Sequence, residues 1–213
     1  MAQDSTVALV GTGLNVGLYD AGFFNVVADC GLLGGWSILS LVSDNTGQWW
    51  CVGQGFNIAK WSASNNQWIP ADSAMNNGPF RTMAIDSTNT IWSVSGADNS
   101  IAQWDANSQA WNKPGPPQQM PLLALAFDIS GAMWGTGVDG AVWKWSGSQW
   151  QLQAGTNVLM IAFDSTGGMW GVNQDNNQVM RWDGSDWTPS GVPWNCVWMS
   201  WGPLPSSPSQ STA

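Results

Sequence analysis

The stretch ALAFDISGAMWGTGVDGAVWKWSGSQW, residues 124–150, decides the fold because its apolar runs are separated by three short turn sequences. These turns lie at Asp128–Gly131, Val138–Gly140 and Ser146–Gln149, and they carry the Asp, Gly and Ser residues that favour tight reversals. The apolar segments between them have the length and composition of β-strands. The stretch therefore predicts four short antiparallel strands joined by hairpins.

The same unit recurs along the chain. The pattern Asp-x-Ser/Thr followed by Gly or Asn occurs at 44–47, 86–89, 128–131 and 164–167. Three tryptophans follow each copy at matching places: Trp50, Trp61 and Trp68; Trp92, Trp104 and Trp111; Trp134, Trp145 and Trp150; Trp170, Trp182 and Trp187. A repeat of roughly 40 residues that holds four strands is typical of a propeller blade. The sequence thus predicts a ring of blades around a channel.

The two ends of the chain have the pattern of one further, divided repeat. Residues 196–201 resemble a first strand, and residues 9–13 echo the second strand at 133–137. Closing the ring with both termini would remove exposed sheet edges. We therefore predict an all-β fold, a five-bladed β-propeller of four-stranded antiparallel blades whose last blade is closed by the N- and C-terminal segments.

The repeat also sets the expected boundaries. A single domain, 1–202, would hold blades near 38–70, 80–113, 122–152, 158–189, and 195–202 plus 7–28, and residues 203–213 would form a disordered tail. The innermost strands are expected at 38–43, 80–85, 122–127, 158–163 and 196–201. A small residue stands two places before each turn aspartate, namely Val42, Ala84, Ala126 and Ala162, and Ser200 is its equivalent in the last strand. We expect these residues to face the channel, where five strands leave little room.

Composition restricts the partners and the compartment. Charged residues make up 9% of the chain, against about 25% in an ordinary soluble protein. The net charge of −9 argues against nucleic acid and against an anionic membrane surface. No apolar run is long enough to insert into a membrane. The N-terminus lacks a basic segment before an apolar run, so we expect a cytoplasmic or unconventionally secreted protein without a signal peptide. Cys30, Cys51 and Cys196 are read as buried thiols.

The side-chain inventory argues against an enzyme. The chain has no histidine, so it lacks Ser-His and Cys-His nucleophile systems and imidazole metal ligands. Paired aspartates could in principle act on a glycosidic bond. However, Asp44, Asp86, Asp128 and Asp164 recur at one turn position, as structural hairpin residues do. Residues 175–177 match a calcium loop only loosely. We therefore expect no catalytic residues, no cofactor and no metal site.

Eighteen tryptophans invite a functional reading, but most recur in every unit. The recurring ones are expected to wedge between neighbouring blades, with the third of each set nearest the rim. Tryptophans that break the repeat are better candidates for exposure: Trp36, Trp143, Trp194 and Trp198. An exposed indole can stack on a sugar ring while nearby amides and carboxylates bond its hydroxyls.

Three motifs carry a resemblance to a known family. They are Gly-x-Met-Trp-Gly at 131–135, Asp-Gly-x-Val-x-Lys-Trp at 139–145 and Asp-Gly-Ser-Asp-Trp at 183–187. With them the chain resembles the tectonin family of β-propeller lectins over residues 38–187 and, more distantly, the five-bladed tachylectin-2 type. The resemblance implies a non-catalytic, multivalent binder of neutral glycans, methylated or N-acetylated sugars among them, on cell surfaces or glycoproteins. The alternative is a structural scaffold or a self-assembling propeller that binds other proteins. Either kind of protein could form homo-oligomers.

The expected carbohydrate-binding face combines two kinds of loop. In a propeller, the turns between second and third strands and the links between blades emerge on the same side. Here they contain Asn15, Asn57, Asp98, Asn99, Asp139, Asp175 and Asn176 in the turns, and Asn77, Asn157, Trp194 and Asn195 in the links. A plain turn role, in which such residues supply positive φ, is the competing interpretation. Weak single sites would gain avidity on a clustered glycan.

Overall fold

The protein is described by a computed structural model that covers residues 7–11, 15–20, 23–29, 38–53, 57–62, 64–65, 67–71, 79–112, 121–154, 157–192 and 196–201. All regular structure in these residues is β-strand. The strands are β1 (Val7–Gly11), β2 (Asn15–Asp20), β3 (Phe23–Asp29), β4 (Ile38–Ser43), β5 (Trp49–Gly53), β6 (Ile58–Ser62), β7 (Gln67–Pro70), β8 (Phe80–Ile85), β9 (Ile91–Ser95), β10 (Ile101–Asp105), β11 (Ala110–Asn112), β12 (Leu122–Phe127), β13 (Met133–Gly137), β14 (Val142–Trp145), β15 (Trp150–Ala154), β16 (Val158–Phe163), β17 (Met169–Asn173), β18 (Val179–Trp182), β19 (Trp187–Pro189) and β20 (Cys196–Trp201). None of the described residues forms a helix long and apolar enough to cross a membrane.

The strands form four-stranded antiparallel sheets. Sheets 1 to 4 contain consecutive strands, β4–β7, β8–β11, β12–β15 and β16–β19. Sheet 5 has the order β20-β1-β2-β3, so a C-terminal strand pairs with an N-terminal one. An all-β propeller of four-stranded antiparallel blades is confirmed.

The innermost strands were predicted correctly. Strands β4, β8, β12, β16 and β20 have the expected bounds, and their ends surround a central cavity of about 90 Å³. The small residues Val42, Ala84, Ala126, Ala162 and Ser200 all line it. The described residues around this cavity are apolar or carry hydroxyls, and none is ionisable. The channel thus offers no acid or base to a bound molecule from the part of the chain that lines it.

Polar links join neighbouring inner strands around the channel. Ser40 Oγ accepts a hydrogen bond of 2.9 Å from Met83 N, which joins β4 to β8. Met199 N lies 2.9 Å from Met160 Sδ, which joins β20 to β16. Trp198 Nε1 donates to Leu41 O at 2.7 Å, so sheet 5 is tied to sheet 1. The side chains of Ser40, Met160 and Trp198 belong to equivalent positions, since each is the third residue of its inner strand.

Trp198 therefore corrects one prediction. It was expected to be exposed, but it is 6% exposed and packs with Leu41 in one apolar cluster. The reason is its place in β20, where an inner-strand side chain points at the neighbouring sheet. Trp143 is half-buried, and Trp36 and Trp194 lie outside the described residues.

The recurring tryptophans pack between and within sheets. At the third position, Trp68 and Trp150 lie in the outermost strands β7 and β15, as expected for residues nearest the rim, and each is only 6% exposed. Second- and third-position indoles pack together in every one of sheets 1 to 4, with ring centroids 5.3–5.7 Å apart. The first-position indoles are half-buried. Each of sheets 1 to 4 therefore keeps an aromatic pair at its outer half and a single indole near the turn.

The cysteine reading is confirmed where the structure describes it. Cys51 and Cys196 are buried thiols that are not joined in a disulfide. Burial raises the pKa of the Cys196 thiol to about 12, because the thiolate would lose its hydration. Cys30 and the tail at 203–213 lie outside the described residues.

Candidate functional site

The two ends of the channel carry different turns. We call the end with the β4–β5, β8–β9, β12–β13 and β16–β17 turns the hub face. The opposite end, with the turns between second and third strands and the links between sheets, is called the link face. Adjacent hub-face turns touch: Asn45 N donates to Asn89 Oδ1 at 2.8 Å, and Asn45 Nδ2 donates to Ser87 O at 3.3 Å.

Four aspartates organise the hub face, and we call Asp44, Asp86, Asp128 and Asp164 the hub aspartates. In each, Oδ1 accepts the backbone N–H groups of residues two and four places on and a Ser or Thr hydroxyl two places on, for instance Ser130 in the Asp128 turn. Each Oδ2 accepts the indole N–H of the tryptophan six residues later, at 2.8–3.2 Å. The structural role predicted for these four aspartates is confirmed, although their tryptophan partners were not foreseen.

The hub aspartates stay ionised. Burial opposes the charge of Asp128, but hydrogen bonds from Ser130, Trp134, Ala132 and Lys144 outweigh it and lower its pKa to about 2. In the other three, burial is likewise outweighed by hydroxyl, indole and backbone donors, and the pKa is lowered. Such carboxylates cannot serve as general acids near neutral pH.

The link face is built from contacts between turns and links. Gly96 N donates to Pro79 O, Val138 N donates to Pro121 O at 3.1 Å, and Gln174 N donates to Asn157 O at 2.8 Å. These three bonds have the same form in sheets 2, 3 and 4, since each joins the turn after a second strand to the link before the first strand of the same sheet. The predicted grouping of turns and links on one face is therefore observed at these places.

One junction on the link face brings predicted site residues together. The side-chain amide of Asn157 donates to Asp175 Oδ2, across 18 residues of sequence. Gly140 O accepts Val158 N at 2.9 Å, so the turn of sheet 3 reaches the same link. A Cβ added at Gly140 would lie 2.9 Å from Gln174 Oε1. Two turns and one link thus converge on a small polar area.

Asp139 and Trp143 extend this area over sheet 3. Asp139 is exposed and accepts Ala141 N at 3.1 Å through Oδ1. A Cβ at Gly137 would collide with the Asp139 carboxylate and lie 3.5 Å from Trp143 Nε1, so only glycine leaves room for that carboxylate. Trp143 Nε1 is buried without a hydrogen-bond partner. The carboxylate and the indole edge therefore both lie close to Gly137. We call Asp139, Trp143, Asn157, Gln174 and Asp175 the link-face cluster.

The other predicted site residues are dispersed. Asp98 Oδ1 accepts Ser100 N and Ser100 Oγ, and Asn99 has φ of +56°, so both serve the turn of sheet 2. Asn176 Oδ1 accepts Gln178 N, and Asn57 O accepts Gly53 N. Asn15 begins β2, and its side chain lies outside the description; Asn77, Trp194 and Asn195 lie outside the described residues altogether. The competing interpretation, a structural role in closing turns, therefore applies to several of these residues.

Sequence reasoning missed Gln174 and Gly140. Gln174 precedes the predicted Asp175, and its backbone N–H provides the bond to the link at Asn157. Gly140 has φ of +76° in the turn that ends beside Asn157. The Asp-Gly pair at 139–140 was a visible turn signal, but nothing in the sequence indicated which link it would touch. Within the described residues, no group of three acidic or cysteine side chains is placed to hold a metal ion.

Comparison with known proteins supports the fold and leaves the family open. No family model matches the chain, and no curated protein does. Similar solved structures include one of a nidogen/laminin complex, with TM-score 0.61 and 9% identity, covering 92% of this chain and 97% of the other. A gluconolactonase from Xanthomonas campestris has TM-score 0.61 and 13% identity, covering 89% and 73%. YCF48 bound to D1 peptide has TM-score 0.52 and 14% identity, covering 90% and 84%.

These likenesses show the propeller fold alone because every identity is far below the level at which function follows. The three structures come from proteins with different roles, one enzymatic and two described in complex with a protein or a peptide. None of these three similarities shows membership of the tectonin family. Function must therefore be argued from the link face itself.

Proposed function

We propose that the chain is a non-catalytic binding propeller that recognises neutral glycans through its link face. The observation that carries the proposal is the link-face cluster, where the Asn157–Asp175 bond lies next to the turn of Asp139 and Gly140, and Asp139 and the Trp143 indole both lie close to Gly137. Amides and carboxylates offer both donors and acceptors to sugar hydroxyls, and the face of an indole can stack on the apolar side of a sugar ring.

The electrostatics of the cluster favour an uncharged, hydroxyl-rich ligand. Its charged members are carboxylates, so an anionic ligand would be repelled. Trp143 holds a buried indole N–H without a protein partner close to Gly137. A ligand hydroxyl that accepted this N–H would satisfy a buried donor, which otherwise costs free energy.

A non-catalytic role is part of the proposal. The described lining of the channel contains no ionisable side chain, and the hub aspartates have lowered pKa values and saturated hydrogen bonds. Acid–base chemistry on a substrate needs a group whose pKa lies near the working pH.

The test compares two faces of the same protein. Asp139→Ala and Asp175→Ala should each weaken binding to a multivalent neutral glycan, with the double variant losing at least about tenfold in avidity. Asp105→Ala and Asp183→Ala are the matched controls, because both are turn aspartates on the opposite face, the first half-buried and the second exposed. Binding is measured by interferometry on a glycan surface that includes methylated and N-acetylated sugars. Melting temperature is recorded for every variant.

Two results would count against glycan binding. Wild-type protein that is silent across a glycan array would remove the proposal, and equal loss in the hub-face controls would place the sites elsewhere. A silent array would favour the second candidate, a scaffold that binds other proteins. That candidate is supported by the exposed apolar side chains Ile129, Val138 and Leu152, which all belong to sheet 3. Two of the similar propellers are also described with a protein or peptide partner.

We also propose that sheet 5 completes a five-bladed ring. The support is the pairing of β20 with β1 and the bond from Trp198 to Leu41, which ties the last sheet to the first. Truncation, described in the Discussion, tests this proposal separately from ligand binding.

A further inference from the structure

Among sheets 1 to 4, the outermost strand of sheet 3 differs from the other three outermost strands. Strand β15 has five residues, whereas β7 has four and β11 and β19 have three each. Its sequence, WQLQA, contains neither a charge nor a proline. Proteins usually protect an edge strand by making it short, or with lysine or proline, because its free N–H and C=O groups invite another strand.

Comparison of the repeats shows that the outer strand of sheet 3 lacks a residue type that the other three carry. Two residues after the third-position tryptophan stand Pro70 in the first repeat, Lys113 in the second, Leu152 in the third and Pro189 in the fourth. The strand registers agree, since Pro70 pairs with Ala59, Leu152 with Trp143 and Pro189 with Met180. Three repeats thus carry a protective residue where the third carries leucine. Leu152 is 59% exposed.

The backbone next to Leu152 is poorly satisfied within the chain. The Gln153 side chain donates to Gln151 O at 3.4 Å and to Leu152 O at 3.3 Å, distances longer than the usual limit of about 3.2 Å. The register towards β14 shifts between Val142 and Trp143, so Gln153 is a bulged residue in the pairing of β15 with β14. An incoming strand would supply better donors than this local amide.

We propose that β15 pairs antiparallel with β15 of a second copy of this chain. The segment Gln151-Leu152-Gln153 is identical in both directions, so pairing about Leu152 sets leucine against leucine and glutamine against glutamine across a two-fold axis. Charge supports a second copy: with a net charge of −9, two copies repel over most of their surface, and an uncharged edge is where they can meet. Lys144, which pairs with Gln151, is neutralised by Asp128 at 3.3 Å. This dimer is independent of the glycan proposal.

The repeat supplies the test variants. Wild-type protein should show a concentration-dependent dimer in sedimentation equilibrium. Leu152→Lys and Leu152→Pro, which restore the residues of the other repeats, should raise the dimer dissociation constant by at least about tenfold, because like charges or a lost N–H would stand at the centre of the pairing. Their melting temperatures should stay close to wild type, since Leu152 is exposed. Gln67→Lys on β7 is the matched control and should leave the dimer intact.

A cross-link locates the axis. Leu152→Cys should give an intermolecular disulfide under mild oxidation, because residues opposite each other across an antiparallel pair have Cα atoms close enough for one. Thr188→Cys on β19 carries the same native thiols and should not cross-link. A protein that stays monomeric throughout the concentration range would overturn the proposal. So would equal cross-linking of both variants, or a dimer that Asn25→Lys on β3 disrupts while Leu152→Lys does not.

Discussion

Aspartates close turns at both ends of the propeller, but the two ends use them differently. On the hub face each of four aspartates receives three hydrogen bonds on one oxygen and an indole N–H on the other, and the arrangement repeats in sheets 1 to 4. On the link face Asp98, Asp139 and Asp175 each bond differently, and Asp175 pairs with an amide from a link. The repeated end holds neighbouring strands and turns together in the same way in sheets 1 to 4, whereas the hydrogen bonds of the other end differ from sheet to sheet.

Truncation should have the largest effect because it damages both ends. Ending the chain after Trp194 removes β20, which is the inner strand of sheet 5, and with it the bond from Trp198 to Leu41. We expect cooperative unfolding to disappear, as measured by circular dichroism and calorimetry. Removal of 203–213 alone should change the melting temperature little. A chain ending at Trp194 that melts like the full one would show that sheet 5 is not part of a closed ring.

Gly140→Ala should be the most damaging point change on the link face. The residue has φ of +76°, and an added Cβ would lie 2.5 Å from Asn157 N and 2.8 Å from Asn157 Cα. We expect a loss of about 3 kcal/mol in the free energy of unfolding, from strain and collision together. Gly147→Ala is the control: its φ is +94°, but nothing lies within 4 Å, so strain acts alone and the loss should be about 1 kcal/mol. Equal losses in urea unfolding would mean that the link can move aside.

Asp128→Ala should show that the hub face depends on its aspartates. The change removes the acceptor of Ser130 and Ala132 and leaves the Trp134 indole N–H without a partner, so we expect a loss of about 2 kcal/mol. Asp139→Ala, which loses one exposed turn bond, should cost about 0.5 kcal/mol. If urea unfolding gave equal losses, the distinction between the two faces would fail.

Lys144→Met should give the smallest effect and appear mainly in acid. Lys144 lies 3.3 Å from Asp128 Oδ2 and 4.7 Å from the centre of the Trp134 ring, and a partly exposed pair of this kind contributes about 0.5 kcal/mol. A carboxylate with a lowered pKa stabilises the fold above its ordinary value of 3.8 and loses that contribution as pH falls towards about 2. The variant should therefore raise the Asp128 pKa, followed by carboxyl NMR, and begin to unfold at a higher pH. An unchanged pKa would show that the indole and hydroxyl donors are sufficient.

The fold was predictable because it is periodic. Four copies of one Asp turn with trailing tryptophans gave the period, and the period placed the inner strands and the residues at the channel. The burial of Trp198 was not predicted, because no tryptophan stands at its position in the other repeats. The residues that occupy this position in other inner strands include Ser40 and Met160. The candidate site was only partly predictable: Asp139, Asn157 and Asp175 were named, but so were Asp98 and Asn99, which lie in another turn.

By itself, the sequence determined the local structure of this protein, because Asp-x-Ser/Thr-Gly/Asn turns and alternating apolar residues specify hairpins through contacts a few residues apart. It also determined the acidity and the shortage of charge. The tertiary structure decided which turn meets which link, as at Asp175 and Asn157, and which tryptophan lies between sheets. It also decided that Leu152 stands on an open edge. These features depend on groups far apart in the chain whose distances are set by how the sheets pack together, and no local pattern encodes those distances.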